Sequence, residues 1–180
     1  MAQYVVFGAG LDTFAYRKRE RLQGAAISVP QSLVFVPVDF ELQTLAGELE
    51  RSGFDRKLPA FFSWLGVTPY LTRESCMAAL GFIVKMPSGS GVALDCAVEP
   101  KMPGLRQRLA LHVLCRRVAA AGEPFQLFFR PAELAEELKT LGFGSTEVLG
   151  AKEINARYFN NRADGLRVGG DLGRLMGAWV

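Results

Sequence analysis

The chain has 180 residues, 49% of them hydrophobic and 22% charged, which predicts one domain spanning 1–180 with a substantial core. A formal net charge of +3 is too small to argue for a nucleic-acid partner, and no apolar run approaches membrane-spanning length. Cys76, Cys96 and Cys115 are odd in number and widely spaced, so neither a metal site nor a disulfide framework is predicted; free thiols in a reducing cytoplasm fit them, and no signal peptide is visible.

The first element is the apolar run from Tyr4 to Phe7, which stops at Gly8. Tyr and Val favour a buried strand. Gly8 and Gly10 let the backbone turn tightly and let a ligand come close. Asp12 or Thr13 then caps a short helix running to Tyr16 or Arg17. This is the strand, glycine turn and helix that open a Rossmann-like unit. The third glycine of a dinucleotide fingerprint falls on Thr13, so Gly-x-Gly-x-x-Gly is incomplete. Lys18, Arg19 and Arg21 form a basic cluster, interrupted by Glu20, that reads as a solvated helix face. Gly24 is expected to end that helix.

Residues 33–38 read as a strand; Pro37 inside the run favours an edge or a strand end. Residues 42–52 read as a helix with Leu42, Leu45, Ala46 and Leu49 on one face and Gly53 at its C-terminus. Residues 60–65 form the next buried strand. Thr72 caps a helix carrying Met77, Leu80, Ile83 and Val84. A turn at 87–91 leads into a strand at 92–98. Further on come a long helix at 103–121, a short extended piece at 125–130 and a helix at 132–141 begun by Pro131 and closed by Gly142. A strand at 146–149, a short helix or turn at 154–159 and a final strand at 174–180 complete the chain. Strands alternating with helices predict an α/β sandwich with a mainly parallel sheet of about six strands.

Four segments carry a family resemblance. Gly8-Ala9-Gly10-Leu11-Asp12-Thr13, followed by Phe14-Ala15-Tyr16-Arg17, resembles the first motif of the leucine carboxyl methyltransferase-like family. Val36-Pro37-Val38-Asp39-Phe40-Glu41 is similar to its motif after the third strand. The run Phe61-Phe62-Ser63-Trp64-Leu65-Gly66-Val67-Thr68-Pro69-Tyr70-Leu71-Thr72 resembles its fourth-strand motif. Asn155-Ala156-Arg157-Tyr158-Phe159, with Arg162-Ala163-Asp164-Gly165-Leu166-Arg167-Val168, resembles its C-terminal signature. The resemblance implies a class I S-adenosylmethionine-dependent methyltransferase, with S-adenosylmethionine as cofactor and a last strand antiparallel to its neighbours. The implied acceptor is a small molecule or a carboxylate.

Methyl transfer asks little covalent work of a protein, because the sulfonium is already a good leaving group. The enzyme must align nucleophile, methyl carbon and sulfur and exclude water. A carboxylate acceptor needs no base; a hydroxyl acceptor needs one. On the resemblance, Gly8, Ala9 and Gly10 form the wall beside the methionine part of the cofactor, and the following helix N-terminus favours its carboxylate. Asp12 either accepts from the cofactor ammonium or caps the helix. Arg17 either pairs with the cofactor carboxylate or stands at the surface. Asp39 is expected to hydrogen-bond the adenine amino group with Phe40 beside the ring, the alternative being that Asp39 caps the next helix.

Trp64 and Leu65 are expected under the reactive centre. Many family members carry a glutamate where Leu65 stands. Tyr70 is the catalytic candidate, its alternative being core packing. His112 shares a helical face with Leu105 and Leu109, which predicts a packing role. Arg157, Tyr158, Arg162 and Asp164 either line the acceptor pocket or form a salt-bridged surface corner.

The chain departs from the family in two places. Relatives carry a helical region before the first strand, whereas Met1 here is almost on it. Arg17 runs straight into Lys18, where the family has a second strand ending in an acidic residue that binds the cofactor ribose. The expectation is that strand 33–38 pairs directly with the first, and that cofactor binding and turnover fall below those of a full-length relative. The competing readings are a non-catalytic remnant of the fold acting as a partner subunit and a nicotinamide-binding oxidoreductase. The incomplete glycine fingerprint argues against the latter.

Overall fold

The computed structural model describes residues 3–8, 20–22, 24–28, 32, 34–36, 38, 42–99, 104–120, 122 and 124–180. The strands are β1 (Gln3–Phe7), β2 (Ala60–Trp64), β3 (Gly91–Ala97), β4 (Ser145–Leu149) and β5 (Gly173–Trp179). The helices are α1 (Leu45–Arg51), α2 (Arg73–Ile83), α3 (Leu105–Ala120), α4 (Pro131–Leu141) and α5 (Ala151–Tyr158), with a short 3-10 turn at Thr68–Tyr70.

The five strands form one sheet in the order β1-β2-β3-β5-β4. β1, β2 and β3 are parallel, with Phe7 beside Trp64 and Trp64 beside Leu94. β5 runs antiparallel to both of its neighbours, Leu94 facing Met176 and Val148 facing Met176. The antiparallel last strand is therefore as expected.

The core lies against the central strands. Phe62, Trp64, Val92 and Leu94 have no exposed surface, as alternation on a strand buried by helices requires. Phe54, which follows α1, Phe62 of β2 and Phe82 of α2 pack as a trio of rings with centroids 6.0 to 6.4 Å apart. Leu45 and Leu49 of α1 and Leu134 and Leu138 of α4 join the same cluster.

Helix ends follow local chemistry. Thr44 and Thr72 cap α1 and α2, each side-chain oxygen accepting a backbone N–H from three residues on. α4 starts at Pro131 and stops at Gly142, whose φ of 115° is a left-handed conformation that a side chain resists.

Four expectations need correction. Among the described residues the sheet has five strands, not six. Residues 34–36 and 38 are not strand, and β1 takes β2 as its described partner. Pro37 supplies no N–H to a ladder, which leaves so short a run little to pair with; Val36 instead packs against the core. Gly24 does not end the first helical segment: residue 24 is still helical, and Ala26, at φ 54°, makes the left-handed turn. Leu42 lies before α1 and is 84% exposed, because the helix begins only after its Thr44 cap.

Candidate functional site

Because β1, β2 and β3 are parallel, their C-terminal ends open on one edge of the sheet, where ligands bind in folds of this kind. Gly8, just past β1, is exposed there. Leu65, just past β2, is 48% exposed, whereas Trp64 is fully buried in the core. Trp64 thus supports this edge from below and has no surface to offer a ligand. Ala9, Gly10, Asp12, Arg17, Asp39 and Phe40 lie outside the described residues.

The chain turns sharply after Leu65. Gly66 adopts φ 73°, a backbone conformation that glycine takes without steric cost. Its N–H donates to Asp95 Oδ1 on β3 at 2.9 Å. Burial pushes the Asp95 carboxyl above the usual aspartate range, and the Gly66 N–H opposes that rise. Sequence reasoning missed Asp95. Its signal was a single carboxylate within the otherwise apolar run of β3.

The turn continues into the wall behind the site. Thr68 is fully buried, and its hydroxyl has no hydrogen-bond partner among the described residues. The Pro69 carbonyl accepts from the backbone N–H groups of Gln126 and Leu127 at 2.7 and 3.1 Å. The Gln126 side chain donates to the Tyr70 carbonyl at 2.9 Å. The Tyr70 ring meets Phe125 edge-on at 5.2 Å. Segment 124–130 is thereby fixed to the end of the fourth-strand motif. An unforeseen groove follows, about 410 Å³ in volume, between this segment and α3; it is lined by Arg108, Leu111, His112, Cys115, Phe125 and Phe128.

His112 therefore faces a groove and is not packed in the core. The face it shares with Leu105 and Leu109 is solvent-exposed, those leucines being 86% and 67% accessible. The helix seats itself instead through Leu111, which is buried. Periodicity alone finds an apolar stripe without saying whether anything covers it.

The C-terminal polar residues form a surface corner. Arg157 makes a two-pronged contact with Glu147 at 2.6 and 3.0 Å, which pulls the Glu147 carboxyl below its usual range. Arg162 pairs with Asp164 at 2.5 and 2.9 Å, and Tyr158 is exposed. The cysteines offer no activated thiolate. Burial pushes the Cys76 thiol up to about 12 and that of Cys96 to about 11, and Cys115 is also raised by burial. No helix among the described residues is long and apolar enough to cross a membrane.

A parallel β1-β2-β3 edge with an antiparallel β5 inserted before β4 is the architecture of Rossmann-like class I methyltransferases. Solved structures of that class share it. One is titled "putative methyltransferase" from Thermobifida fusca YX (TM-score 0.60, 15% identity, covering 99% of this chain and 73% of that one). Another is a SAM dependent methyltransferase from Archaeoglobus fulgidus (TM-score 0.53, 12% identity, 99% and 86%). At the sequence level, the leucine carboxyl methyltransferase family model matches residues 17–84. The Bacillus subtilis (strain 168) protein named "Putative S-adenosyl-L-methionine-dependent methyltransferase YktD" is 31% identical over 186 residues, covering 91% of this chain. The chain is thus similar to leucine carboxyl methyltransferases over residues 17–84 and to this relative over nearly its own full length, and it spans 61% of the length of that relative.

Proposed function

We propose that this chain is an S-adenosylmethionine-dependent methyltransferase that transfers a methyl group to an oxygen of a small molecule or a carboxylate, working in the cytoplasm as one domain. The observation that carries the reading is the open edge of the parallel strands, where Gly8 and Leu65 stand exposed and side by side at the ends of the paired β1 and β2. It is supported by the 31% identity to a relative named for that cofactor. The described residues fit the group: an exposed glycine at the first strand end and a half-exposed apolar side chain at the second.

When bound, the cofactor supplies an activated methyl group on a sulfonium. The chain's own residues do the positioning. Gly8, Ala9 and Gly10 would admit the methionine portion, Asp12 would accept from its ammonium and Arg17 would pair with its carboxylate. Asp39 would accept from the adenine amino group, with Phe40 as the residue for the ring. Leu65 presents an apolar surface that excludes water from the transfer. Tyr70 is held by its neighbours on segment 124–130 and borders the acceptor. No nucleophilic side chain is required, in keeping with the raised thiols of Cys76 and Cys96.

Calorimetry tests this directly. S-adenosylhomocysteine is expected to bind and NAD to show no heat of binding. Tighter binding of NAD overturns the reading in favour of a nicotinamide-dependent oxidoreductase.

A further inference from the structure

The groove between α3 and segment 124–130 has the chemistry of a recognition site for an aromatic acid. Its floor is apolar: Leu111 is 3% exposed, and Cys115 lies one turn further along α3. One wall consists of Phe125 and Phe128, half-buried rings set edge-to-face at 6.3 Å and 73°. Such rings offer a planar ligand the stacked or edge-on contacts that aromatic groups prefer. The other wall, from α3, carries Arg108 and, one turn on, His112.

Arg108 is exposed and has no acidic partner among the described residues, whereas Arg73, Arg130 and Arg157 are each engaged by a glutamate. An unpaired guanidinium keeps its planar fork of donors free for a carboxylate. A volume of about 410 Å³ suits a one- or two-ring molecule. Phe125, which lines the groove, also packs edge-on against the Tyr70 ring, so the groove adjoins the proposed reaction site.

We propose that this groove is the acceptor subsite and that it takes aromatic carboxylates, with the ring against Phe125 and Phe128 and the carboxylate on Arg108. The assignment of an acceptor rests on the methyltransferase reading; the binding chemistry does not.

The test is calorimetry with 2-naphthoate and its neutral counterpart 2-naphthamide, on the parent chain and on Arg108→Gln, with S-adenosylhomocysteine titrated in parallel. Arg108 is exposed, so the variant should keep the parent melting temperature. The expected result is a preference of about tenfold or more for naphthoate over naphthamide in the parent, the scale of one hydrogen bond to a charged group. That preference is lost in Arg108→Gln, with S-adenosylhomocysteine affinity unchanged. Equal binding of the two probes, a preference that survives in Arg108→Gln, or no binding of naphthoate overturns the proposal. Should S-adenosylhomocysteine bind in that last case, the methyltransferase reading stands without it. Arg108-dependent naphthoate binding with no S-adenosylhomocysteine binding upholds the anion site and overturns the function assigned to the fold.

Discussion

The backbone N–H of Gly66 donates to Asp95 Oδ1 at 2.9 Å, tying the loop that leaves β2 to the neighbouring strand. Gly66 turns the chain at φ 73°, and Val67 and Thr68 then run into the core. One carboxylate thus fixes the path of the loop that exposes Leu65 at the open strand edge.

Burial raises the Asp95 carboxyl above its ordinary range. A raised folded value means that Asp95 contributes stability in full below the unfolded pKa, about 3.9. That contribution is lost as pH rises through the folded value, above which a charge sits half-buried. Asp95→Asn keeps an acceptor for Gly66 and removes the charge. It should melt at or above the parent temperature near neutral pH, with the gap closing as pH falls through the raised folded value and closed once the pH reaches the ordinary aspartate range. Thermal melts across that interval check this. A lower melting temperature for Asp95→Asn at neutral pH would show that the charge itself is stabilising.

Thr68 buries its hydroxyl without a partner among the described residues. Replacing such a group by an apolar one of the same shape is close to neutral. Thr68→Val should therefore stay within about 1 kcal/mol of the parent in stability, with unchanged S-adenosylhomocysteine affinity. A tenfold weaker affinity at equal stability would assign the hydroxyl to the ligand.

What was legible in the sequence was mostly local. Thr72, Pro131 and Gly142 mark helix ends because capping and left-handed backbone depend on a few neighbouring atoms. The apolar runs of β2 and β3 were read to within a residue or so. Tertiary facts were not legible. Residues 33–38 have strand composition, but pairing depends on a neighbour that the run does not encode. The stripe of Leu105 and Leu109 looks like a buried face, yet it is exposed. The groove joins α3 to a segment whose position depends on backbone bonds to Pro69, which no motif announces. Asp95 read as part of a strand, and only the structure shows its contact with Gly66.

Two glycines make room for Trp179. A Cβ at Gly177 would run into its six-membered ring, and one at Gly91, its register partner, would lie 2.7 Å from its Cδ1. Gly177→Ala should cost about 1–3 kcal/mol through overpacking. All three close contacts at Gly177 are with that side chain, so the cost should largely vanish in a Trp179→Ala background. Denaturant melts of the single and double variants give the coupling; purely additive effects would rule out the Trp179 ring as the cause.

The last prediction separates ligand from cap at Asp39. The sequence left two roles for this residue, adenine contact or the start of the following helix. That cap is held by Thr44, whose Oγ1 accepts from the Gly47 N–H at 3.3 Å as α1 begins at Leu45. The two residues should therefore fail differently. Thr44→Ala should lower stability by about 0.5–2 kcal/mol, the usual loss at an N-cap, and leave S-adenosylhomocysteine affinity alone. Asp39→Ala should weaken that affinity by about 1–3 kcal/mol, the scale for losing the partner of a buried polar group, with a smaller effect on the melting temperature without ligand. Calorimetry and thermal melts on both variants decide the matter. Parent-like affinity in Asp39→Ala together with a lowered melting temperature would make Asp39 a structural residue and remove it from the cofactor site.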